Sequence, residues 1–258
     1  MRVALGIEYS GEKYCGWQRQ SHSPSVQENL DNVLANIADQ PIKTFCAGRT
    51  DTGVHATGQV IHFDIDKQRP MTAWLRGANN QLPRDIAVKW AVEVNGEFHA
   101  RFSATKRSYR YIIYNNETPT AIYAGKVTWH RRSLDLNAMQ CGANHLIGKN
   151  DFSSFRASSC QANTPIRDVT ELKLSQKGKF IFMDITANAF LHHMVRNIVG
   201  SLLQVGEGRN SPEFIKQTLQ ELDRTKAPDT AKPDGLYLVN VTYPGEYGLP
   251  EQVVRPFA

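Results

Sequence analysis

Hydrophobic and polar positions alternate in eight segments of this chain, which is the pattern of half-buried strands. In the first segment, 2–10, the side chains of Val3, Leu5, Ile7 and Tyr9 share one face. The other seven segments are 43–47, 59–65, 86–94, 106–115, 166–176, 179–188 and 235–243. The segments 166–176 and 179–188 are close enough to form a hairpin that turns at Lys177-Gly178.

Five further segments carry apolar residues three and four positions apart, the spacing of a helix with one buried face. The first, 25–39, opens with Ser25 and Glu28 in the S-x-x-E pattern of a capping box. The others are 71–82 after Pro70, 135–148 with Asp135 as cap, 189–206, and 211–224 with Ser211 as cap.

The order of these elements is β-α-β-β-α-β in each half of the chain, which is the ferredoxin-like order. The sequence therefore predicts an α+β fold with two ferredoxin-like (RRM-like) halves and mainly antiparallel sheets. We place the halves at 1–105 and 106–258. No Pro- or Ser-rich linker separates them, so we expect two continuous domains rather than two tethered modules.

Composition is that of an ordinary globular protein, with 41% hydrophobic and 21% charged residues. No apolar run approaches the ~20 residues that span a bilayer. Four scattered cysteines without C-x-x-C spacing argue against a disulfide framework or a zinc ribbon, and for reduced thiols in the cytoplasm. No phosphate-binding loop, dinucleotide fingerprint or metal-ligand spacing is present, so we expect no cofactor and no metal.

The positive charge is concentrated in one stretch of the chain. The formal net charge is +5, and residues 106–156 alone hold eight basic and three acidic residues. A concentrated basic patch is typical of proteins that bind a polyanion, although a solvated surface without a partner has the same composition.

The segment CAGRTDTGVHATGQVIHFD, residues 46–64, carries the most suggestive chemistry. Arg49 and Asp51 lie two positions apart in a loop of small residues ahead of a strand. Arg49 can hold a partly buried carboxylate ionised, and the small residues let a substrate approach the backbone. An ordinary turn aspartate fits the same residues. D-T-G is also the aspartic-protease tripeptide, but that chemistry needs two carboxylates, and a second such motif is missing.

Two other segments suggest contacts with nucleic acid. In FHARFSATKRSYRYIIY, rings that include Tyr109 alternate with cations that include Arg110, a composition suited to stacked bases beside phosphates. A core strand flanked by solvated cations is the alternative. The segment 189–206 carries His192, His193 and Arg196; Arg196 can clamp a phosphate or a carboxylate, whereas adjacent helical histidines make a poor metal pair.

Taken together, these segments resemble the bacterial tRNA pseudouridine synthase A family nearly from end to end. The resemblance starts at YSGEKYCGWQRQ and continues through SVQENL to AGRTDTGVHATGQVIHFD, which matches the catalytic loop of that family. FHARFSATKRSYRYIIY, DFSSFRA, ANAFLHHMVRNIVGSLL and GLYLVNVTYP follow in the same order. Seven ordered motifs are far more specific than a lone D-T-G.

The resemblance implies an enzyme that isomerises uridines 38, 39 and 40 in the anticodon stem-loop of tRNA, without a cofactor. Asp51 would be the nucleophile, with attack at ribose C1′ preferred over attack on the base. Arg49 and Arg196 would lie around the acid and the flipped nucleotide. Tyr109 would pack on the target base, and Leu236 would line an apolar pocket. We also expect Arg110 to contact the substrate.

The resemblance further implies a homodimer in the cytoplasm. Two positions depart from the family pattern: Ser10 stands where aspartate is usual, and Thr52 follows Asp51 where alanine is commoner. A non-catalytic RNA-binding protein remains as an alternative, as does, with less support, a dimeric aspartic protease.

Overall fold

The protein was analysed as a computed structural model, which describes residues 1–251 and 253–257. The chain forms two compact units, Met1–Lys106 with Tyr237–Ala258, and Arg107–Leu236. The first unit thus also holds Lys106 and the described residues 237–251 and 253–257, which the predicted halves place in the second half. Among the described residues, no helix is both long and apolar enough to span a membrane.

Ten strands and five α-helices make up the described structure. The strands are β1 (Arg2–Tyr9), β2 (Phe45–Cys46), β3 (His55–Asp64), β4 (Ile86–Val94), β5 (Lys106–Asn115), β6 (Thr128–His130), β7 (Gly148–Asp151), β8 (Ile166–Lys177), β9 (Phe180–Ala187) and β10 (Leu236–Thr242). The helices are α1 (Val26–Ala38), α2 (Ala78–Gln81), α3 (Leu136–Asn144), α4 (Met194–Gly206) and α5 (Glu213–Glu221). A π-helical turn, Ala73–Gly77, leads directly into α2.

In the first unit, β1 lies between β3 and β4 and is antiparallel to both. Strand β2 pairs antiparallel with β3, which gives the order β4-β1-β3-β2. The ferredoxin-like sequence of elements is therefore present in this unit. β10 adds to β3 in parallel, where Tyr237 lies opposite His55.

Both faces of β1 are covered, so this strand is more buried than simple alternation predicts. In β1, residues Val3 to Ile7 on both faces are inaccessible to solvent or nearly so. Gly6 faces the indole of Trp90 so closely that a Cβ would overlap the ring. On the helical side, the rings of Phe63 and Trp74 meet edge to face, 5.1 Å apart.

In the second unit, β9 lies between β5 and β8 and is antiparallel to both. Strand β7 pairs antiparallel with β8, and the short β6 pairs in parallel with β5. β8 and β9 form the predicted hairpin, with Gly178 in the left-handed region at φ 60°. The predicted α+β class with a mainly antiparallel sheet is confirmed.

Two helix starts were predicted wrongly. Helix α4 begins at Met194 rather than near residue 189, because His193 adopts a left-handed conformation at φ 60° and interrupts the helical path. Helix α5 begins at Glu213 with Pro212 as its N-cap, so Ser211 does not cap it. The cap at Ser25 is confirmed, since its Oγ accepts from the Glu28 N–H at 3.3 Å.

Candidate functional site

Asp51 lies on a tight turn between β2 and β3. The Val54 N–H donates to the Asp51 carbonyl at 3.1 Å, and Gly53 has a φ of 78°. A positive φ at the third residue is what a type II turn requires, and glycine supplies it without strain. Asp51 is half-buried and Thr52 is exposed. The D-T-G tripeptide is therefore a turn whose glycine is dictated by backbone geometry.

Buried polar groups fix the backbone just ahead of this turn. The hydroxyls of Thr50 and Tyr9 are 2.7 Å apart, and the Trp17 N–H donates to the Thr50 carbonyl at 3.0 Å. Gln59, which is fully buried, donates to the Gly48 carbonyl at 2.6 Å and accepts from the Gly48 N–H at 3.4 Å. Such bonds hold a reactive side chain in one orientation before a substrate binds.

A second loop, residues 10–17, packs directly against the back of the turn. The Gly53 N–H donates to the Tyr14 carbonyl at 3.3 Å. A Cβ on Gly16 would lie 2.7 Å from the Thr50 carbonyl oxygen, and a Cβ on Gly11 would overlap the Val54 carbonyl. Both glycines are therefore needed for this close backbone contact.

Arg49 lies in the same loop and is exposed. Burial raises the pKa of the Cys46 thiol to about 12, while Arg49 and Arg101 both act to lower it. Both guanidinium groups are thus near Cys46, at the start of the Asp51 loop. The proposed effect of Arg49 on the ionisation of Asp51 stays a prediction.

Tyr109 and Arg110 follow each other on β5 and point to opposite faces of the second unit's sheet. The Tyr109 ring is buried and meets Phe190 edge to face at 5.0 Å. Arg110 makes a two-point ion pair with Asp184, with both N–O distances 2.8 Å, and lies over the Phe182 ring at 4.8 Å. Sequence reasoning missed Asp184, which lies directly opposite Arg110 on β9.

Arg196 and Leu236 each contact the segment 231–233 of the second unit. The Arg196 Nε donates to the Ala231 carbonyl at 2.8 Å, and the Leu236 N–H donates to the Pro233 carbonyl at 2.8 Å. The buried Tyr111 hydroxyl donates to the Lys232 carbonyl at 2.7 Å. Burial raises the pKa of Tyr111, and the nearby Arg196 opposes that rise.

His192 and His193 precede α4 rather than belonging to it. Their rings are 4.0 Å apart, and His192 Nδ1 lies 3.2 Å from the Ser159 hydroxyl. Arg196 is consequently the third residue of α4, and the two histidines do not share that helix with it.

Comparison with known proteins agrees with this architecture. A protein-family model described as tRNA pseudouridine synthase matches residues 6–103 and 143–244. These ranges include Arg49, Asp51, Arg196 and Leu236, whereas Tyr109 and Arg110 lie between them.

Curated relatives match along nearly their whole length. A protein of Photobacterium profundum is 55% identical over 256 residues, which cover 99% of this chain and 98% of the relative. A protein of Vibrio cholerae is 54% identical, and the match covers 99% of this chain and 97% of that relative. Both are named tRNA pseudouridine synthase A. The chain belongs to the tRNA pseudouridine synthase family, and the family prediction is confirmed.

Proposed function

We propose that this protein isomerises uridine to pseudouridine in tRNA, with Asp51 as the nucleophile. Family membership supports the reaction. The observation that carries the assignment of Asp51 is its turn, since the half-buried carboxylate directly follows a backbone segment, 48–50, that is held by Gln59, Tyr9 and Trp17. Such bracing suits a group that must meet one atom of a large substrate.

In the proposed reaction, an Asp51 carboxylate oxygen attacks C1′ of the target ribose and the bond from C1′ to uracil N1 breaks. The uracil turns, its C5 bonds to C1′, and the ester to Asp51 is released. Loss of the proton from C5 and gain of a proton at N1 complete the isomerisation. No electrons are exchanged with a partner, which fits the expectation that no cofactor takes part.

The remaining site residues have roles around the target nucleotide. The base must leave its stack to react, at a cost of a few kcal/mol. We assign Tyr109 to packing on the base, Leu236 to the apolar wall beside it, and Arg49 and Arg196 to the acid and the flipped nucleotide. A substrate contact by Arg110 stays a prediction, and its two-point pair with Asp184 favours a structural role.

For the finer specificity, we propose that the substrates are uridines 38, 39 and 40 of the anticodon stem-loop, and that the protein acts as a homodimer in the cytoplasm. RNA stems are recognised mostly through shape and backbone. The clustered basic residues of 106–156 suit such recognition.

The deciding experiment uses tRNA tritiated at uracil C5, incubated without an added cofactor. The wild-type protein should release tritium, because C5 exchanges its hydrogen for the new bond. We expect Asp51→Asn to lower the rate by a factor of about 10⁴ or more while tRNA binding is retained. The exposed carboxylate Asp66 of the same unit gives the control, Asp66→Asn, which should react like wild type.

Two outcomes would overturn the proposal. If wild type binds tRNA but releases no tritium from any tRNA, the protein is a binding module rather than a synthase. If Asp51→Asn reacts at the wild-type rate, the nucleophile is another residue.

A further inference from the structure

The first unit carries a group of exposed rings and cations that the proposed chemistry does not use. We call it the aromatic–basic surface, and it consists of Lys43, Phe45, His99, Arg101 and Phe102. The Phe102 ring contacts the His99 ring at 4.4 Å, and the His99 ring contacts the Phe45 ring at 5.5 Å. Beneath them, the buried His62 ring stacks on Phe45 at 5.1 Å. The rings therefore form one continuous cluster.

The exposed end of this cluster is held rigidly. Phe102 is 75% exposed, yet its backbone lies in a tight turn closed by the Ser103 N–H, which donates to the His99 carbonyl at 2.9 Å. His99 Nδ1 accepts from the N–H groups of Arg101 and Phe102, at 3.1 and 3.3 Å. A large ring presented to solvent on a fixed turn indicates a binding surface rather than a flexible tip.

His99 in this surface and His62 beneath it are both neutral at physiological pH. His62 Nδ1 accepts from the Ala100 N–H at 3.1 Å, and His99 Nδ1 is likewise an acceptor, which needs an unprotonated nitrogen. Burial lowers the pKa of His62 to about 4 and also lowers the pKa of His99. The positive charge of the surface therefore comes from lysine and arginine.

Cations flank the exposed rings at both ends. The Arg101 guanidinium lies 5.4 Å from the Phe102 ring centre, and the Lys43 ammonium lies 5.5 Å from that of Phe45. Phe45 directly precedes Cys46, from which the chain leads to Asp51, so the surface borders the Asp51 loop. Rings beside cations are what single-stranded nucleic acid requires, since bases stack on the rings while phosphates meet the charges.

We propose that the aromatic–basic surface binds an unpaired nucleotide of the tRNA substrate, with a base stacked on Phe102 and the adjoining phosphates held by Arg101 and Lys43. This inference rests on the proposed function. Charge favours RNA over a second copy of the protein as the partner of this surface. The cations attract a polyanion, whereas they would repel the same cations on a second copy. Phe98 belongs to the same sequence motif, but it is fully buried and therefore cannot stack on a base.

The test separates base stacking from phosphate contacts by the salt dependence of tRNA binding. Phe102→Ala should weaken tRNA binding about tenfold or more, since a base loses its stacking partner. The slope of log affinity against log salt should not change, because no phosphate contact is lost. Arg101→Gln should instead reduce that slope by about one. Phe102→Tyr should restore the affinity.

Leu222→Ala is the matched control, since it removes another exposed apolar side chain, one flanked by the acids Glu221 and Asp223. It should bind tRNA like wild type. Unchanged affinity in Phe102→Ala would overturn the proposal, as would dissociation of an oligomer by this variant in sedimentation, because the surface would then join subunits. The proposed function fails separately, when wild type releases no tritium.

Discussion

At the scale of single residues, His62 makes the stability of the protein depend on pH. Its pKa is about 4 in the folded chain, because burial disfavours the imidazolium, and about 6.5 when unfolded. As the pH falls from about 6.5 towards 4, His62 becomes protonated in the unfolded state but stays neutral in the folded state. The free energy of unfolding therefore decreases in that pH range.

We expect His62→Asn to lose less stability on acidification than wild type, by about 2 kcal/mol between pH 7.5 and 4.5. The asparagine Oδ1 can accept from the Ala100 N–H as His62 Nδ1 does, but it does not titrate. Urea unfolding at both pH values measures the difference. Parallel pH dependence in the two proteins would show that another group is responsible.

The burial of His62 also shows what residue patterns leave out. Alternation in 59–65 predicts one buried face with Ile61 and Phe63, which is confirmed. His62 belongs to the other face, and it is buried because the turn around Ala100 packs on it. That contact joins residues 38 positions apart, so no local pattern contains it. Gln59 was missed because its role depends on the contact with Gly48, which lies 11 positions earlier in the chain.

At the scale of elements, the Asp51 turn depends on the loop of residues 10–17 behind it. We expect Gly16→Ala to destabilise the protein by about 2 kcal/mol, because Gly16 has a φ of 88° and a Cβ would lie 2.7 Å from the Thr50 carbonyl oxygen. Displacement of Thr50 should also lower kcat/KM for tRNA. Gly96→Ala is the control, since a Cβ there meets nothing within 4 Å. Equal thermal unfolding and kinetics in the two variants would contradict the expectation.

Two helix starts were predicted correctly from a local hydrogen bond, and the start of α4 was missed because a backbone conformation sets it. Ser25 and Asp135 cap α1 and α3, because a short polar side chain reaches the N–H three residues on. The apolar spacing runs on through 189–193, but the left-handed His193 delays the start of α4 to Met194. Periodicity carries no information about such a residue.

At the scale of the whole molecule, acids from other parts of the chain offset some of the positive charge of the basic stretch 106–156. Two of its arginines pair with acids from outside that stretch, Arg110 with Asp184 and Arg132 with Glu207. The charge counted along the chain favours a polyanion as partner, but it does not show which of the cations are available to bind it. Pairing across strands and helices decides that, and it depends on the fold.

This pairing predicts different roles for two neighbouring arginines. Arg131 is exposed, whereas Arg132 donates to Glu207 at 2.7 Å. If phosphates are held by cations without a nearby acid, Arg131→Gln should weaken tRNA binding and reduce the slope of log affinity against log salt by about one. Arg132→Gln should reduce the slope less, because the Glu207 carboxylate, which Arg132 shares with Arg209, offsets part of its charge. Filter binding of tRNA between 50 and 200 mM salt, roughly the range in which such contacts are lost, compares the two. Equal slopes for the two variants would mean that the Glu207 pair opens when RNA binds.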